Sequence, residues 1–235
     1  MIQVYPASSR YTADHGWLKS NFSFSFAEYY DPNNLQFGSM RVLNDDWVAP
    51  GRGFGAHPHK EMEIVSIVLS GQLQHQDNAG NQATTTFGGI QRMSAGTGIV
   101  HAELNPSQSE PVEFLQLWFM PEIRGVEPSY EQTFFDTDAL NNALLPIVSK
   151  HATNENVATI NQDLTIYLAK VEAGKSISFN QPAGRKVFLF VLEGLLAVNK
   201  DTKLGKRDAA RITEQESLFL EASNQDVFFM LIDLV

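Results

Sequence analysis

The sequence contains no cysteine among its 235 residues. This absence excludes disulfide bonds, thiolate catalysis, zinc–thiolate sites and iron–sulfur clusters. Any metal that the chain binds must therefore be held by nitrogen and oxygen ligands.

Positive charge and long apolar runs are also scarce. Lys and Arg together number 17 against 27 Asp and Glu, which gives a formal net charge of −10. A chain this acidic has no net attraction for phosphate backbones, so we expect no direct nucleic-acid partner. No apolar run is long enough to cross a bilayer, and the first residues lack the basic start and apolar centre of a signal peptide. We therefore expect a cytoplasmic protein without a membrane partner.

Helical periodicity is rare, and most of the sequence is typical of short strands separated by Gly, Asn, Asp and Pro turns. One short helix is predicted at Asp136–Leu145, with Asp138 as its N-cap. Apolar runs predict strands at 64–69, 114–119, 164–171, 187–192 and 227–235.

An internal repeat with an offset of 123 residues divides the chain. Ile64–Leu69 and the following Gly71 align with Val187–Leu192 and the following Gly194. We therefore predict two similar β domains, at 1–121 and 160–235, joined by a linker at 122–159.

The metal-binding residue types are confined to the first copy of this repeat. His57 and His59 align with Asn180 and Pro182. The same offset places His101 and Glu103 opposite Asn224 and Asp226. We expect the first domain to carry the chemistry and the second to keep only the fold.

Two segments concentrate these residue types, one with His57 and His59 and the other with His101 and Glu103. Side chains at i and i+2 of a strand share a face, about 6.5–7 Å apart, so each pair points one way. If the two strands are neighbours, three imidazoles and a carboxylate converge, a set that suits Fe(II), Mn(II), Ni(II), Cu(II) or Zn(II). Glu63 has the same parity as the first pair, so the residues alone leave open which glutamate is the ligand.

The remaining candidates have less specific patterns. His15 and His151 stand in loop-like contexts, and we expect them to be solvated. His75 follows the turn at Gly71 and is predicted to be a surface strand residue, with a place in the cavity wall as the alternative. Barrel core is expected for most of the candidate pocket-wall residues, which are Phe54, Met62, Met93, Phe114 and Trp118.

The histidine segments resemble the two cupin motifs. His57-x-His59 with Glu63 resembles the first motif, and Gly96 with His101 resembles the second. The distance from Glu63 to the glycine that closes the first motif is one residue longer than the usual pattern.

Longer stretches are similar to one cupin family in particular. HPH at 57–59 and SAGTGIVHAE at 94–103 resemble the pirin family, and ADHGWLKSNFSFSFAEYYDP at 13–32 resembles its bacterial members. Ser94 stands where many cupins have proline. The likeness is strong over 10–121 and weaker after 160.

The resemblance implies an all-β fold of two cupin-type (jelly-roll) barrels in tandem, the second one degenerate. It implies iron, as Fe(II), held by His57, His59, His101 and Glu103, and so favours Glu103 over Glu63. It also implies quercetin 2,3-dioxygenase activity, in which dioxygen opens the ring of a flavonol with release of carbon monoxide. Glu103 is then the expected catalytic base, because it lies beside the substrate hydroxyl that must lose a proton.

A second hypothesis comes from the same resemblance. Pirins also include non-enzymatic regulatory proteins that act through protein partners, with the oxidation state of iron as a switch. Both functions need the same ligands, but an enzyme also needs an apolar cavity of about 300 Å³ or more that opens onto the metal. We predict a monomer, because the second domain can pack against the first within one chain.

Overall fold

The computed structural model of the chain describes residues 1–235 and contains 22 strands and two short 3-10 helices. The first twelve strands are β1 (Ile2–Tyr5), β2 (Tyr11–Asp14), β3 (Leu18–Phe22), β4 (Met40–Val48), β5 (Gly53–His59), β6 (Glu63–Ser70), β7 (Leu73–Asp77), β8 (Gln82–Thr85), β9 (Gly89–Ser94), β10 (Ile99–Leu104), β11 (Val112–Phe119) and β12 (Ser129–Phe134).

The remaining ten strands lie between residues 145 and 234. They are β13 (Leu145–Ser149), β14 (Ala158–Thr159), β15 (Leu164–Val171), β16 (Lys175–Asn180), β17 (Lys186–Glu193), β18 (Leu196–Val198), β19 (Thr202–Leu204), β20 (Ala209–Ile212), β21 (Ser217–Ala222) and β22 (Val227–Leu234).

The helix predicted at Asp136–Leu145 is shorter than expected, and its N-cap is not Asp138. The structure has a 3-10 helix at Thr137–Leu140, and Asp136 caps it by accepting the backbone N–H of Asp138. The helix ends early because Asn142 has a φ of 56°, which a right-handed helix does not allow. The other 3-10 helix is Ala7–Ser9.

The strands form two compact units. The first unit comprises 11–134 and 151–162, and the second comprises 1–10, 135–150 and 163–235. The predicted boundaries at 1–121, 122–159 and 160–235 stay a prediction. Strand pairing shows one feature that they do not contain, because the first strand of the chain belongs to the second unit. Ile2–Tyr5 pairs antiparallel with Ala209–Ile212, so the first strand completes a sheet of the second unit.

Each unit contains a larger and a smaller sheet whose strand orders correspond, although the edge strand β12 follows β11 in the chain and its counterpart β1 comes first. In the first unit the orders are β12-β9-β6-β11-β4-β3-β2 and β5-β10-β7-β8. In the second unit the larger sheet contains β1-β20-β17-β22-β15-β13 in that order, and the smaller sheet is β16-β21-β18-β19. The prediction of an all-β fold with two cupin-type barrels is confirmed, and so is the internal repeat.

The glycines of the repeat have the same structural role in both units. Gly71 and Gly194 have positive φ values of 75° and 88°. A Cβ atom on Gly71 would lie 2.3 Å from the carbonyl oxygen of Pro111, and one on Gly194 would lie 2.2 Å from that of Asp226. Only glycine allows the chain to pass so close to the next strand at this turn.

Strand register corrects one alignment made from the sequence. Glu103 pairs with Phe54 and His75, and Leu220 pairs with the repeat equivalents of those two residues, Ile177 and Val198. Glu103 therefore corresponds to Leu220, not Asp226. By the same register His101 corresponds to Leu218 rather than Asn224, because the segment between β7 and β10 is longer than the segment between β18 and β21.

The second unit contains a large apolar cluster that includes residues of both its sheets. The first unit has smaller clusters, one around Phe114 and Val68 and another around Met93 and Ile64. Neither of the two 3-10 helices could span a membrane.

Candidate metal centre

Antiparallel pairing of β5 with β10 brings the two histidine segments together. His101 lies directly opposite His57, and Ile99 lies opposite His59. The register shifts between His101 and Glu103. The extra residue is on β5, whereas β10 pairs regularly with β7. His101 and Glu103 therefore share the buried face of β10, as their i, i+2 spacing predicts.

The structure places three histidine side chains in one cluster. One ring nitrogen from each of His57, His59 and His101 lies within 4.8 Å of the other two. The ring centroids are 4.6 to 4.8 Å apart. Three convergent imidazoles at these distances fit a divalent transition metal.

The hydrogen bonds of the rings leave their Nε2 atoms available. The Nδ1 atom of His57 lies 2.7 Å from the carbonyl oxygen of Gly55 and donates to it, which leaves Nε2 as a lone-pair donor. The Nε2 atoms of His59 and His101 are buried and have no hydrogen-bond partner. Buried nitrogens without partners are costly, and a bound metal would satisfy them.

Burial keeps the rings of His59 and His101 neutral. Burial lowers the pKa of His59 to about 4, helped by the neighbouring His57. Burial also lowers the pKa of His101 to about 3, with smaller contributions from the other histidines. A neutral ring is the form that binds metal, so no proton has to be displaced from His59 or His101 at neutral pH.

Glu103 lies close to the histidines but is not part of their cluster. Its Oε1 accepts a hydrogen bond from Ser66 at 3.0 Å, and its Oε2 accepts one from the Gln116 amide at 2.6 Å. Burial raises the pKa of this carboxyl to about 7, although both hydrogen bonds lower it.

Glu63, the alternative carboxylate, has different neighbours. Its Oε2 accepts hydrogen bonds from the Ser94 hydroxyl at 2.8 Å and from the backbone N–H of Asn161 at 3.2 Å. Its Oε1 is buried without a partner. Neither glutamate shares the compact nitrogen cluster, and Glu63 is also absent from the cavity described next.

A cavity of about 500 Å³ opens onto two of the three histidines. His57, His59 and Glu103 contribute to its wall. His59 makes an edge-to-face contact with Trp118 at 4.8 Å, which joins the histidine cluster to the apolar wall. The large apolar and aromatic residues of the wall are Trp17, Leu18, Phe22, Phe26, Phe54 and Trp118.

Phe54 and Trp118 are therefore pocket residues, whereas the other three candidates are core. Met93 and Met62 pack in an apolar cluster with Ile64, and Phe114 is completely buried in another.

Polar residues lie deep in the same cavity. Asp46 and Asn44, both buried, line its wall, and Asp46 accepts a hydrogen bond from Ser20. Burial raises the pKa of Asp46 to about 7. The Oδ1 atom of Asn44 is buried and has no partner. Sequence reasoning missed this group, because the apolar residues of β4 do not alternate cleanly with polar ones, although Asn44 and Asp46 occupy buried positions of the strand.

His75 is not the surface residue that was predicted. It is only 2% exposed, since the inward positions of β7 are Leu73, His75 and Asp77, whereas Gln76 points outward. Alternation along Leu73-Gln74-His75-Gln76-Asp77 was the signal that could have identified it. His15 and His151 are exposed, as expected.

The comparisons with known proteins agree with this arrangement. The pirin family profile matches residues 5–119, and the profile of the quercetinase C-terminal cupin domain matches residues 146–234. The chain is 39% identical over 234 residues to a quercetin 2,3-dioxygenase of Escherichia coli, covering 100% of this chain and 99% of that protein. It is also 36% identical over 233 residues to a pirin-like protein of Caulobacter vibrioides, covering 99% of each.

One similar solved structure contains a metal ion. The crystal structure of the bacterial pirin YhhW of Escherichia coli in complex with nickel(II) superimposes with a TM-score of 0.93 at 38% identity. The match covers 100% of this chain and 99% of that one.

Two cupin-type barrels in tandem, of which one holds a three-histidine cluster, define the class as a bicupin with a single candidate metal centre. Within that class the chain belongs to the pirin family.

Proposed function

We propose that the protein is a metal-dependent dioxygenase that opens the ring of a flavonol such as quercetin with O2, with iron as the metal. The observation that carries the proposal is the cavity of about 500 Å³ that opens onto His57 and His59. Its volume exceeds the roughly 300 Å³ that an enzyme for a flavonol-sized ligand needs. The quercetin 2,3-dioxygenase of Escherichia coli, similar over its whole length, supports the reaction class.

The proposed ligand set is His57, His59, His101 and Glu103. The three histidines supply ring nitrogens, two of which are buried and otherwise unsatisfied. Glu103 lines the same cavity, and each of its carboxylate oxygens has a lone pair beyond the one that accepts from Ser66 or Gln116. When bound, iron supplies the Lewis acidity and the redox chemistry that the reaction with dioxygen requires.

The side chains of the cavity would orient the flavonol. Phe54, Phe26 and Trp118 offer aromatic faces and edges against which a flat, fused-ring ligand packs. The same surfaces exclude water from the region between the ligand and the histidines. Fixing the substrate hydroxyl beside the histidine cluster converts a bimolecular encounter into a positioned one.

Glu103 is the proposed proton acceptor for the substrate hydroxyl. Its pKa of about 7 suits a general base near neutral pH, because such a group both exists as a carboxylate and binds a proton readily. Ser66 and Gln116 hold the carboxylate in place while the proton moves to it.

The first test compares the wild-type protein with His101→Ala. Iron-loaded wild type is expected to consume quercetin and dioxygen in step, which absorbance and oxygen-electrode traces would record. Because one of three histidine ligands is lost, the variant is expected to lose its iron and its turnover together. His151→Ala, which changes an exposed histidine, is the matched control and should behave as wild type.

Two outcomes would contradict the proposal. Turnover that persists in metal-free His101→Ala would exclude the metal-dependent mechanism. A wild-type protein that holds iron but leaves quercetin and dioxygen untouched would favour the regulatory hypothesis, in which the same iron responds to oxidation and a protein partner reads its state.

The proposed enzyme works as a cytoplasmic monomer without a direct nucleic-acid partner. The net charge of −10 supports the last point, since phosphate backbones would be repelled overall. Light scattering coupled to gel filtration tests the oligomeric state.

A further inference from the structure

Asp77, His75 and His101 form a hydrogen-bonded chain of side chains. Asp77 and His75 lie on the side of the His101 ring that faces away from its Nε2 atom. Asp77 Oδ2 is 3.0 Å from His75 Nε2, and His75 Nδ1 is 3.3 Å from His101 Nδ1. All three side chains are buried, with exposures of 8%, 2% and 3% for Asp77, His75 and His101. Neither Asp77 nor His75 lines the cavity, so any effect on chemistry must pass through His101.

The protons of this chain can be assigned from one end to the other. A carboxylate only accepts, so the Nε2 atom of His75 carries a proton and donates it to Asp77. A neutral His75 then has a lone pair on Nδ1 and must accept from His101 Nδ1. His101 therefore carries its own proton on Nδ1, and its buried Nε2 atom is left with the lone pair.

Further hydrogen bonds fix the Asp77 carboxylate in the orientation in which it accepts the proton of His75. Its Oδ1 accepts from the backbone N–H groups of Ala79 and Asn81, at 2.9 and 3.0 Å. Asn81 also contributes its side-chain amide. The His75 ring stacks on Tyr130, with centroids 4.2 Å apart and an interplanar angle of 15°.

The second unit has lost this chain together with the histidines. By strand register, Val198 stands in place of His75 and Leu218 in place of His101. Both are buried in the apolar cluster of that unit. His75 is therefore not needed to build a barrel of this topology.

We propose that Asp77 and His75 are positioning residues that fix His101 in the tautomer whose Nε2 lone pair binds the metal. The proposal rests on the proposed use of His101 as a ligand. Partners behind a metal-binding histidine set its tautomer and ring orientation, and their removal typically costs about 10–100-fold in metal affinity.

Asp77→Asn tests the tautomer directly, because it changes almost nothing in volume. The two backbone N–H groups at Oδ1 require an oxygen there, so the new NH2 group faces His75. His75 must then accept at Nε2 and carry its proton on Nδ1, which forces His101 to place its proton on Nε2.

Nitrogen-15 NMR of histidine side chains in metal-free protein reads these positions. Wild type is expected to show His101 protonated at Nδ1 and His75 at Nε2, and Asp77→Asn the reverse for both. Wild-type His101 protonated at Nε2, or an unchanged pattern in Asp77→Asn, would overturn the proposal.

Nickel(II) affinity, measured by competition with a chelator, tests the consequence. Asp77→Asn is expected to lose about 10–100-fold. Asp226→Asn removes an exposed carboxylate that also accepts a backbone N–H, that of Ala173, and should leave the affinity unchanged.

Two variants of His75 separate positioning from packing. His75→Phe keeps a ring against Tyr130 but loses both hydrogen bonds, whereas His75→Gln keeps an acceptor and a donor but loses the stacked ring. The proposal requires Gln to stay within about threefold of wild type and Phe to fall by about 10–100-fold. The opposite order would mean that His75 acts by packing alone.

Nickel binding and histidine NMR distinguish failure of the proposed metal centre from failure of the proposed positioning role. A wild-type protein that binds no nickel(II) would remove the proposed metal centre, yet the NMR tautomers of the metal-free protein would still decide whether Asp77 and His75 set the state of His101. Normal nickel binding with unchanged affinity in Asp77→Asn would remove the positioning role and leave the metal centre intact.

Discussion

The two barrels share a topology but line their interiors with opposite chemistry. Six buried polar residues of the first unit correspond by register to six buried apolar residues of the second. Asp46, Ser66, His75, His101, Glu103 and Gln116 in the first unit stand where Ala169, Leu189, Val198, Leu218, Leu220 and Leu231 stand in the second.

The comparison teaches that the strand framework does not depend on the interior residues. Both units keep the close turn at glycine and the same order of strands around the larger sheet. The first unit keeps a polar interior and a cavity, at the cost of buried groups with unsatisfied atoms such as His59 Nε2. The second unit fills the equivalent space with aliphatic side chains that need no partners.

The largest effect is expected from placing a carboxylate in the apolar interior. Leu220→Glu should cost more than about 4 kcal/mol of unfolding free energy, because the new group is buried with no hydrogen-bond donor. Urea titration of the metal-free protein measures the loss.

The reverse exchange is the matched control. Glu103→Leu should cost only about 1–2 kcal/mol, because Ser66 and Gln116 can still bond each other at 3.0 Å. Equal losses in the two variants would mean that the units do not differ in the way their interiors are stabilised.

A smaller effect is expected from the pH dependence of the first unit. Burial raises the pKa of Asp46 from 3.8 to about 7, so the folded state binds this proton more tightly than the unfolded state. The stabilisation is complete below pH 4 and is lost as the pH rises towards 7. Asp46→Asn should therefore reduce the fall in unfolding free energy between pH 4 and 7 by roughly 2–4 kcal/mol in metal-free protein.

Part of that pH dependence should remain in the variant. Glu103 has a pKa raised in the same direction, and adding Glu103→Gln should flatten the curve further. The equivalent of Asp46 in the second unit is Ala169, which cannot titrate. An unchanged slope in Asp46→Asn would show that this carboxyl has an ordinary pKa.

The smallest effect is expected at the glycine turn that the two units share. Gly71→Ala and Gly194→Ala should each cost about 2 kcal/mol, because both positions have positive φ and a backbone oxygen within 2.3 Å of the new Cβ. Gly80→Ala, with positive φ but open space, should cost about 1 kcal/mol. Thermal unfolding measures these losses of stability. A different loss at Gly71 than at Gly194 would show that the two turns are not equivalent.

The fold could be predicted from the sequence because the repeat and the apolar runs are local signals. Leu164–Val171 is a strand with the predicted bounds, and Ile64–Leu69 lies inside β6. The pairing of Ile2–Tyr5 with Ala209–Ile212 could not be predicted, because nothing within a four-residue strand specifies a partner about 200 residues away.

The site was only partly predictable for a similar reason. His57, His59 and His101 stand out by residue type and spacing, and they do form one cluster. The supporting residues Ser66, Asp46 and Gln116 are ordinary polar residues within apolar runs, and only strand register turns them towards the same interior.

The strand Ile2–Tyr5 has a consequence for the order in which the molecule is completed. Its partner Ala209–Ile212 is made near the end of synthesis, and at about 5–20 residues per second the wait is on the order of 10–40 s. The first unit has all of its own strands long before that. The segment that forms the edge strand of the larger sheet of the second unit is therefore made first. It stays unpaired until translation is almost over.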